Sequence, residues 1–137
     1  MTIVEFLTRR YDELEVTAQR AADESADRWE HEMEHGARCI RTVDKFGTPG
    51  GWMHHERITH DYEGLSDSVS EHAGDHIALH DPAYVLADVA TKRSMLTFLT
   101  PLIDGEDAEP WFADEILRRL AAPFAAHADF DPGWDTP

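Results

Sequence analysis

The chain opens on a helical repeat of apolar residues. Three or four residues separate successive members of this stripe, which are Ile3, Leu7, Tyr11, Leu14, Ala18 and Ala21. Thr2 followed by Glu5 has the spacing of a capping box. The pattern predicts an N-terminal helix within residues 1–35 that buries one face. Because the following AADESAD is rich in weak helix formers, the helix is expected either to end near Ala26 or to run to Gly36.

From residue 37 onward, alternation replaces the helical spacing. RCIRTV and WMHHERIT mix β-branched and aromatic residues with polar ones, and the turn-rich DKFGTPGG lies between them. Two alternating runs around such a turn predict a possible short β-hairpin within residues 37–60, with its strands starting around residue 38.

Residues 62–100 predict two helices that meet at Asp81-Pro82. Pro82 suits the first turn of a helix and disfavours helical geometry at the residue before it, and Asp81 supplies a capping oxygen. The second helix is expected to end before Pro101. Its predicted buried stripe consists of Val85, Leu86, Val89, Arg93, Leu96 and Leu99.

Residues 109–137 predict a C-terminal helix and a strap. Pro110 begins the helix, and its predicted buried residues are Phe112, Ile116, Leu117 and Leu120. The tail ADFDPGWDTP is expected to pack as an irregular segment through Phe130 and Trp134. The sequence therefore predicts a mainly α (α+β) fold: a single domain over residues 1–137, with three to four helices packed as a small bundle and one short β-hairpin.

Composition narrows the possible partners. With 28 Asp and Glu against 12 Lys and Arg, the formal net charge of the 137 residues is −16. Direct nucleic-acid binding is not expected, because it depends on cations that neutralise phosphates. No apolar run is long enough to span a membrane, and the N-terminus lacks the order of a secretory signal, so we expect a cytoplasmic protein. Cys39 is the only cysteine, which excludes an internal disulfide.

The acidic residues are unevenly placed. No Lys or Arg occurs from Ile58 to Thr91. A negative face in this region would suit a basic partner, whereas the alternative is a surface that only aids solubility. The candidate interaction face consists of Asp61, Glu63, Asp67, Glu71 and Asp75.

The histidines offer a second kind of site. His72, His76 and His80 are four residues apart, as are His31 and His35, and this spacing lets two imidazoles on one helix reach one ion such as zinc. If both groups were helical, they would be able to meet in a bundle-type metal site. The favoured interpretation is structural: His76, His80, Asp81 and Pro82 form a helix junction in which His80 bonds the last carbonyls of its helix.

No catalytic residues are predicted. Cys39 has no accompanying motif, and the serines lie in no nucleophile elbow. In so acidic a chain, a pair of carboxylates carries little information. No cofactor is expected, with a divalent metal as the alternative.

Three blocks of the sequence, in this order, carry a family resemblance: MTIVEFLTRRYDELEVTAQRA, HIALHDPAYVLADVATKRSML and LRRLAAPFAAHADFDPGW. They resemble DUF6221, a family of small proteins of unknown function from actinobacteria and their bacteriophages. Leu79 and Tyr84 stand where that family commonly has arginine, and residues 30–70 depart most from it. The resemblance implies an actinobacterial or phage origin and no particular activity.

The sequence therefore leads to three functional hypotheses. The first is a small acidic binding or regulatory protein, of phage descent, that docks a basic surface of a host protein. The second is a metal-binding protein or metal-dependent enzyme that uses His72, His76 and His80. The third is a structural homodimer formed through the N-terminal helix.

Overall fold

The structure is a computed structural model that describes residues 1–24, 26–34, 37–43, 58, 70–105 and 110–135. Its elements in chain order are α1 Ile3–Glu24, β1 Trp29–Glu34, β2 Ala37–Thr42, α2 Glu71–Leu79, α3 Pro82–Asp104 and α4 Pro110–Ala121, with 3-10 turns at Ala122–Phe124 and Pro132–Trp134. The prediction of a mainly α fold with one small hairpin is confirmed. Contacts group the chain into two compact units, Met1–Leu14 with Asp88–Pro137 (unit 1) and Glu15–Ala87 (unit 2).

The start of α1 has the predicted capping box. The backbone N–H of Glu5 donates to Thr2 Oγ1 at 3.2 Å, and the N–H of Thr2 donates to Glu5 Oε2 at 2.7 Å. These two bonds satisfy donors that the first helical turn leaves open. The hydrogen bonds from Thr2 also hold the pKa of Glu5 below its usual value.

The core of unit 1 forms around the first two turns of α1. Phe6 is fully buried, and four rings from the C-terminal segment surround it at centroid distances of 5.1–6.2 Å. These rings belong to Phe124, His127, Phe130 and Trp134. The predicted strap is therefore a C-terminal segment that closes over Phe6, and its packing burial compensates for its irregular backbone.

Helices α3 and α4 complete the buried part of unit 1, and each differs from its prediction. Helix α3 continues through Pro101 to Asp104, because a proline in a helix removes one N–H bond without necessarily ending it. The prediction that Phe112 is buried is wrong: 44% of its surface is exposed. The small face formed by Ala113, Leu117 and Ala121 is buried instead.

Unit 2 contains the hairpin, shifted toward the N-terminus of its predicted range. Strands β1 and β2 pair antiparallel, with His31 opposite Ile40 and Glu32 opposite Cys39. Strand β2 matches the first predicted strand, whereas residues 29–34 form a strand rather than the end of a helix extending to residue 35. The second predicted strand, WMHHERIT, lies outside the described residues except for Ile58, whose N–H donates to the carbonyl of Ile40 at 2.8 Å.

Candidate functional site

His31 packs strand β1 against helix α2. Its imidazole lies over Gly74, so closely that a Cβ on Gly74 would stand within 2.6 Å of three ring atoms. Nδ1 donates to Asp75 Oδ1 at 2.9 Å, and the side chain of His31 is 6% exposed. Its buried Nε2 has no hydrogen-bond partner among the described residues. The ring therefore serves the packing of strand on helix.

The three histidines of α2 do not gather around one point. All are exposed, and the rings of His76 and His80 lie 4.3 Å apart. His80 Nδ1 donates to the carbonyl of His76 at 2.8 Å, which fixes its tautomer and leaves only Nε2 as an acceptor. Within the described ranges, no group of three or more His, Cys, Asp or Glu is arranged to hold a metal ion. His31 lies on a strand, and His35 lies outside the described residues, so the two-helix metal geometry is not formed.

Asp81 lies at the centre of the helix joint. Its Oδ1 accepts the N–H of Tyr84 at 2.8 Å, which is the N-cap bond of α3, and Pro82 is the first residue of that helix. Its Oδ2 accepts the N–H of Trp29 at 3.2 Å, and the N–H of Ala83 donates to the carbonyl of Asp27 at 2.7 Å. The joint therefore also anchors the start of strand β1, a contact that the sequence analysis missed.

Arg10 is a buried cation that the sequence analysis also missed. It is 5% exposed, it donates to Glu13 Oε1 at 2.8 Å and to His127 Nε2, and its guanidinium carbon lies 5.3 Å from the centre of the Phe6 ring. Asp129 Oδ2 lies 4.0 Å from the same guanidinium. Arg10 thus joins α1 to the C-terminal segment, and no signal in the sequence pairs residues so far apart along the chain.

Tyr11 is the neighbouring buried polar group. Its side chain is fully buried, and its hydroxyl has no hydrogen-bond partner within the described part of the chain. Burial, followed by the nearby carboxylate of Asp88, raises the pKa of Tyr11 to about 12. Cys39 is likewise buried. A phenol and a thiol that solvent does not reach have no access to a substrate, so the described geometry gives neither a catalytic role.

Most described basic side chains are neutralised by the chain itself. Each of the following pairs lies within 2.8 Å: Arg10–Glu13, Arg41–Glu30, Lys92–Asp88, Arg93–Asp12, Arg118–Asp114 and Arg119–Glu115. Of the predicted acidic face, Glu71 and Asp75 are exposed on α2. Asp61, Glu63 and Asp67 lie outside the described residues. The structure thus shows how cations are used internally, while the surplus of carboxylates stays.

Large apolar side chains are exposed on two helices of unit 1. On α4, Trp111 is 69% exposed and its ring contacts that of Phe112, with centroids 5.9 Å apart. On α3, Phe98 is 70% exposed and Met95 is 38% exposed. The sequence analysis treated tryptophans as anchors of the core, and no pattern in the sequence distinguishes Trp111 from a buried one. Exposed large apolar groups mark candidate contact points.

The apolar stripe behind the homodimer hypothesis has another use. Ile3, Leu7, Tyr11 and Ala18 are buried within the chain. A dimer seam built from this stripe would have to displace contacts that the chain already makes. Among the described residues, no helix is long and apolar enough to cross a membrane.

No curated protein and no solved structure matches the chain. A family model does match, and it covers residues 1–136, which is nearly the whole sequence and includes all three blocks that suggested the resemblance. The chain belongs to the family of unknown function DUF6221.

Proposed function

We propose that this protein is an acidic binding module that docks a basic surface of a partner protein in the cytoplasm, without catalysis and without direct contact with nucleic acid or membrane. The observation that carries the proposal is the internal use of cations. Each of the basic side chains Arg41, Lys92, Arg93, Arg118 and Arg119 contacts a carboxylate of the same chain.

The consequence is a surface whose free charge is negative. With a net charge of −16, the chain has many more carboxylates than its own cations neutralise. Such a surface attracts cationic surfaces at distances up to the Debye length, about 8–10 Å at moderate salt, and speeds their association. Specific docking also needs desolvated contacts, and exposed aromatic side chains such as Trp111 are the type that supplies them.

Titration with a defined cationic probe tests the proposal. Fluorescein-labelled oligolysine is the probe, oligoglutamate of equal length is the control, and anisotropy is measured at low and high sodium chloride. We expect binding of oligolysine only, with an affinity that falls at least tenfold at high salt. A chain that binds neither probe at low salt, or both equally, contradicts the proposal.

A matched pair of variants checks that the charge on the chain matters. Glu71→Gln with Asp75→Asn removes two exposed carboxylates of the predicted acidic face, and Thr17→Ala with Gln19→Ala alters two exposed neutral residues of α1. We expect the first variant to weaken oligolysine binding and the second to leave it unchanged. Equal affinities in both variants would place the docking surface away from α2.

A further inference from the structure

We infer that the outward face of α3 in unit 1 is a docking site for a basic amphipathic helix of a partner protein. This inference rests on the proposed function and names the partner's chemistry. The α3 outward face, as we call it, consists of the exposed residues Ala90, Thr91, Ser94, Met95, Thr97, Phe98 and Pro101.

The α3 outward face reverses the usual pattern of a surface helix. Opposite its buried residues Val89, Leu96 and Leu99, a helix normally carries charged residues. Here the exposed side has none, and the sequence from Ser94 to Ile103 contains no charged residue at all. In a chain of which 29% is charged, an uncharged solvent face is a surface suited to contact another apolar surface.

The polar groups of this face are turned inward. Thr97 Oγ1 donates to the carbonyl of Arg93 at 3.1 Å, and Thr100 Oγ1 donates to the carbonyl of Leu96 at 2.7 Å. Each hydroxyl therefore already has a partner within the helix, so covering the face leaves these two donors satisfied. Met95 adds a flexible side chain of the kind that adapts to different apolar partners.

The spacing of the exposed side chains fits one helix. Ser94, Phe98 and Pro101 follow each other at intervals of four and three residues, and Met95 lies three residues before Phe98. This is the spacing at which an amphipathic helix presents its own anchors to a groove or face. Phe98, at 70% exposed, is the central anchor.

Area and charge favour a partner helix over a second copy. Two turns of helix with one large aromatic ring offer well below the roughly 800 Å² per partner that a stable pair of folded surfaces needs. A second copy would also bring another net charge of −16. The chain directly after the face reads DGEDAE, so cations flanking the apolar side of a partner helix would meet carboxylates supplied by this segment.

A two-heptad peptide of repeated LKKLLKL, labelled with fluorescein, tests the inference with the full chain. Its controls are a peptide of the same composition in scrambled order and a version with Glu in place of Lys. We expect binding of the amphipathic basic peptide, at least tenfold weaker binding of each control, and a gain of helical circular dichroism on mixing.

Variants locate the site. Phe98→Ala is expected to weaken peptide binding at least tenfold, and Met95→Ala to weaken it less. Phe112→Ala removes another exposed aromatic ring and is the matched control, with an expected change below twofold. Since all three side chains are exposed, thermal unfolding should stay near that of the unaltered chain, which separates binding from folding.

The outcomes distinguish the inference from the proposed function. If oligolysine binds but the amphipathic peptide binds no better than its scrambled form, or Phe98→Ala is within twofold of the unaltered chain, the inference is overturned and the proposed function stands. If neither probe binds, both fall. Self-association that Phe98→Ala abolishes, or binding to zwitterionic lipid vesicles that depends on Phe98, would assign the face to a second copy or to a membrane and overturn the inference.

Discussion

Gly74→Ala is expected to destabilise the protein only while His31 is present. In an unhindered helix this substitution stabilises by roughly 1 kcal/mol, because alanine loses less backbone entropy on folding than glycine. Here the new Cβ would stand within 2.6 Å of three atoms of the His31 ring, where ordinary van der Waals contact begins at 3.4 Å. The sign of the effect therefore depends on whether the ring can move away.

The structure indicates that the ring cannot move cheaply. A retreat of about 1 Å to ordinary contact would weaken its 2.9 Å bond to Asp75 and expose a side chain that is 94% buried. Overpacking of this kind costs about 1–3 kcal/mol, and the hydrogen bond adds ~1 kcal/mol. After the gain of roughly 1 kcal/mol from alanine, we expect Gly74→Ala to lower the free energy of unfolding by about 1–2 kcal/mol.

A double-mutant cycle measures this coupling. In the background of His31→Ala, the same Gly74→Ala substitution meets no ring and should raise the free energy of unfolding by roughly 1 kcal/mol, so the two substitutions are coupled by about 2–3 kcal/mol. Urea unfolding followed by far-ultraviolet circular dichroism gives the values. Ala73→Gly, at an exposed neighbour in α2, is the control and should cost about 1 kcal/mol in both backgrounds. If Gly74→Ala has the same effect with and without His31, the packing argument is refuted.

Three further substitutions test other parts of the structure. Because burial raises the pKa of Tyr11 to about 12, the unfolded chain loses this proton near pH 10 while the folded chain keeps it, so stability should fall by up to about 1.4 kcal/mol per pH unit between them. Tyr11→Phe should remove that loss in urea unfolding, and an unchanged slope would contradict the assigned burial. Asp81→Ala should cost about 2 kcal/mol, since it removes the bonds from Tyr84 and Trp29, whereas loss of the exposed Asp114 should cost under about 1 kcal/mol; equal losses would argue against the joint. Arg10→Lys should speed hydrogen exchange in residues 124–134, because an ammonium cannot reproduce the fork of donors; unchanged protection would show that the aromatic rings alone hold this segment.

Local sequence signals predicted the features that depend on neighbouring residues. The capping box at Thr2 and Glu5 and the helix boundary at Asp81-Pro82 are satisfied by bonds within three residues, so their patterns are visible in a short window. The same holds for the stripe of α1. It omitted Phe6 and Arg10, which are buried by rings and a histidine that lie more than a hundred residues later in the chain.

Strand β1 shows why the candidate metal site was misjudged. WEHEME has strict alternation, with glutamates at every second position, yet the four-residue spacing of His31 and His35 also fits a helix. Glutamate is a poor strand former, so propensity favoured the helix, and pairing with β2 together with the packing of His31 on α2 overrode it. The missing signal was the glycine at position 74, whose partner lies on another element.

Helix α4 shows a second limit of sequence patterns. Hydrophobicity alone favoured Phe112 as a buried residue, but Ala113, Leu117 and Ala121 form the buried face. Two alanines allow a closer approach of the helix backbone than a phenylalanine would, and this choice depends on the shape of the surface that α4 meets. The exposed Trp111 and Phe112 follow from that choice.

The bonding of the HIALHDP block separates structural residues from candidate binding residues. Asp81 uses one carboxylate oxygen for Tyr84 and the other for Trp29, and His80 has committed Nδ1 to a carbonyl of its own helix. Groups that are already bonded in this way have little capacity left for a ligand, so substitutions here should lower stability and binding together. Phe98 has the opposite character, because it is mostly exposed and supports no described bond. A substitution there should lower binding while stability is retained, and this difference assigns folding to the joint and recognition to the outward face of α3.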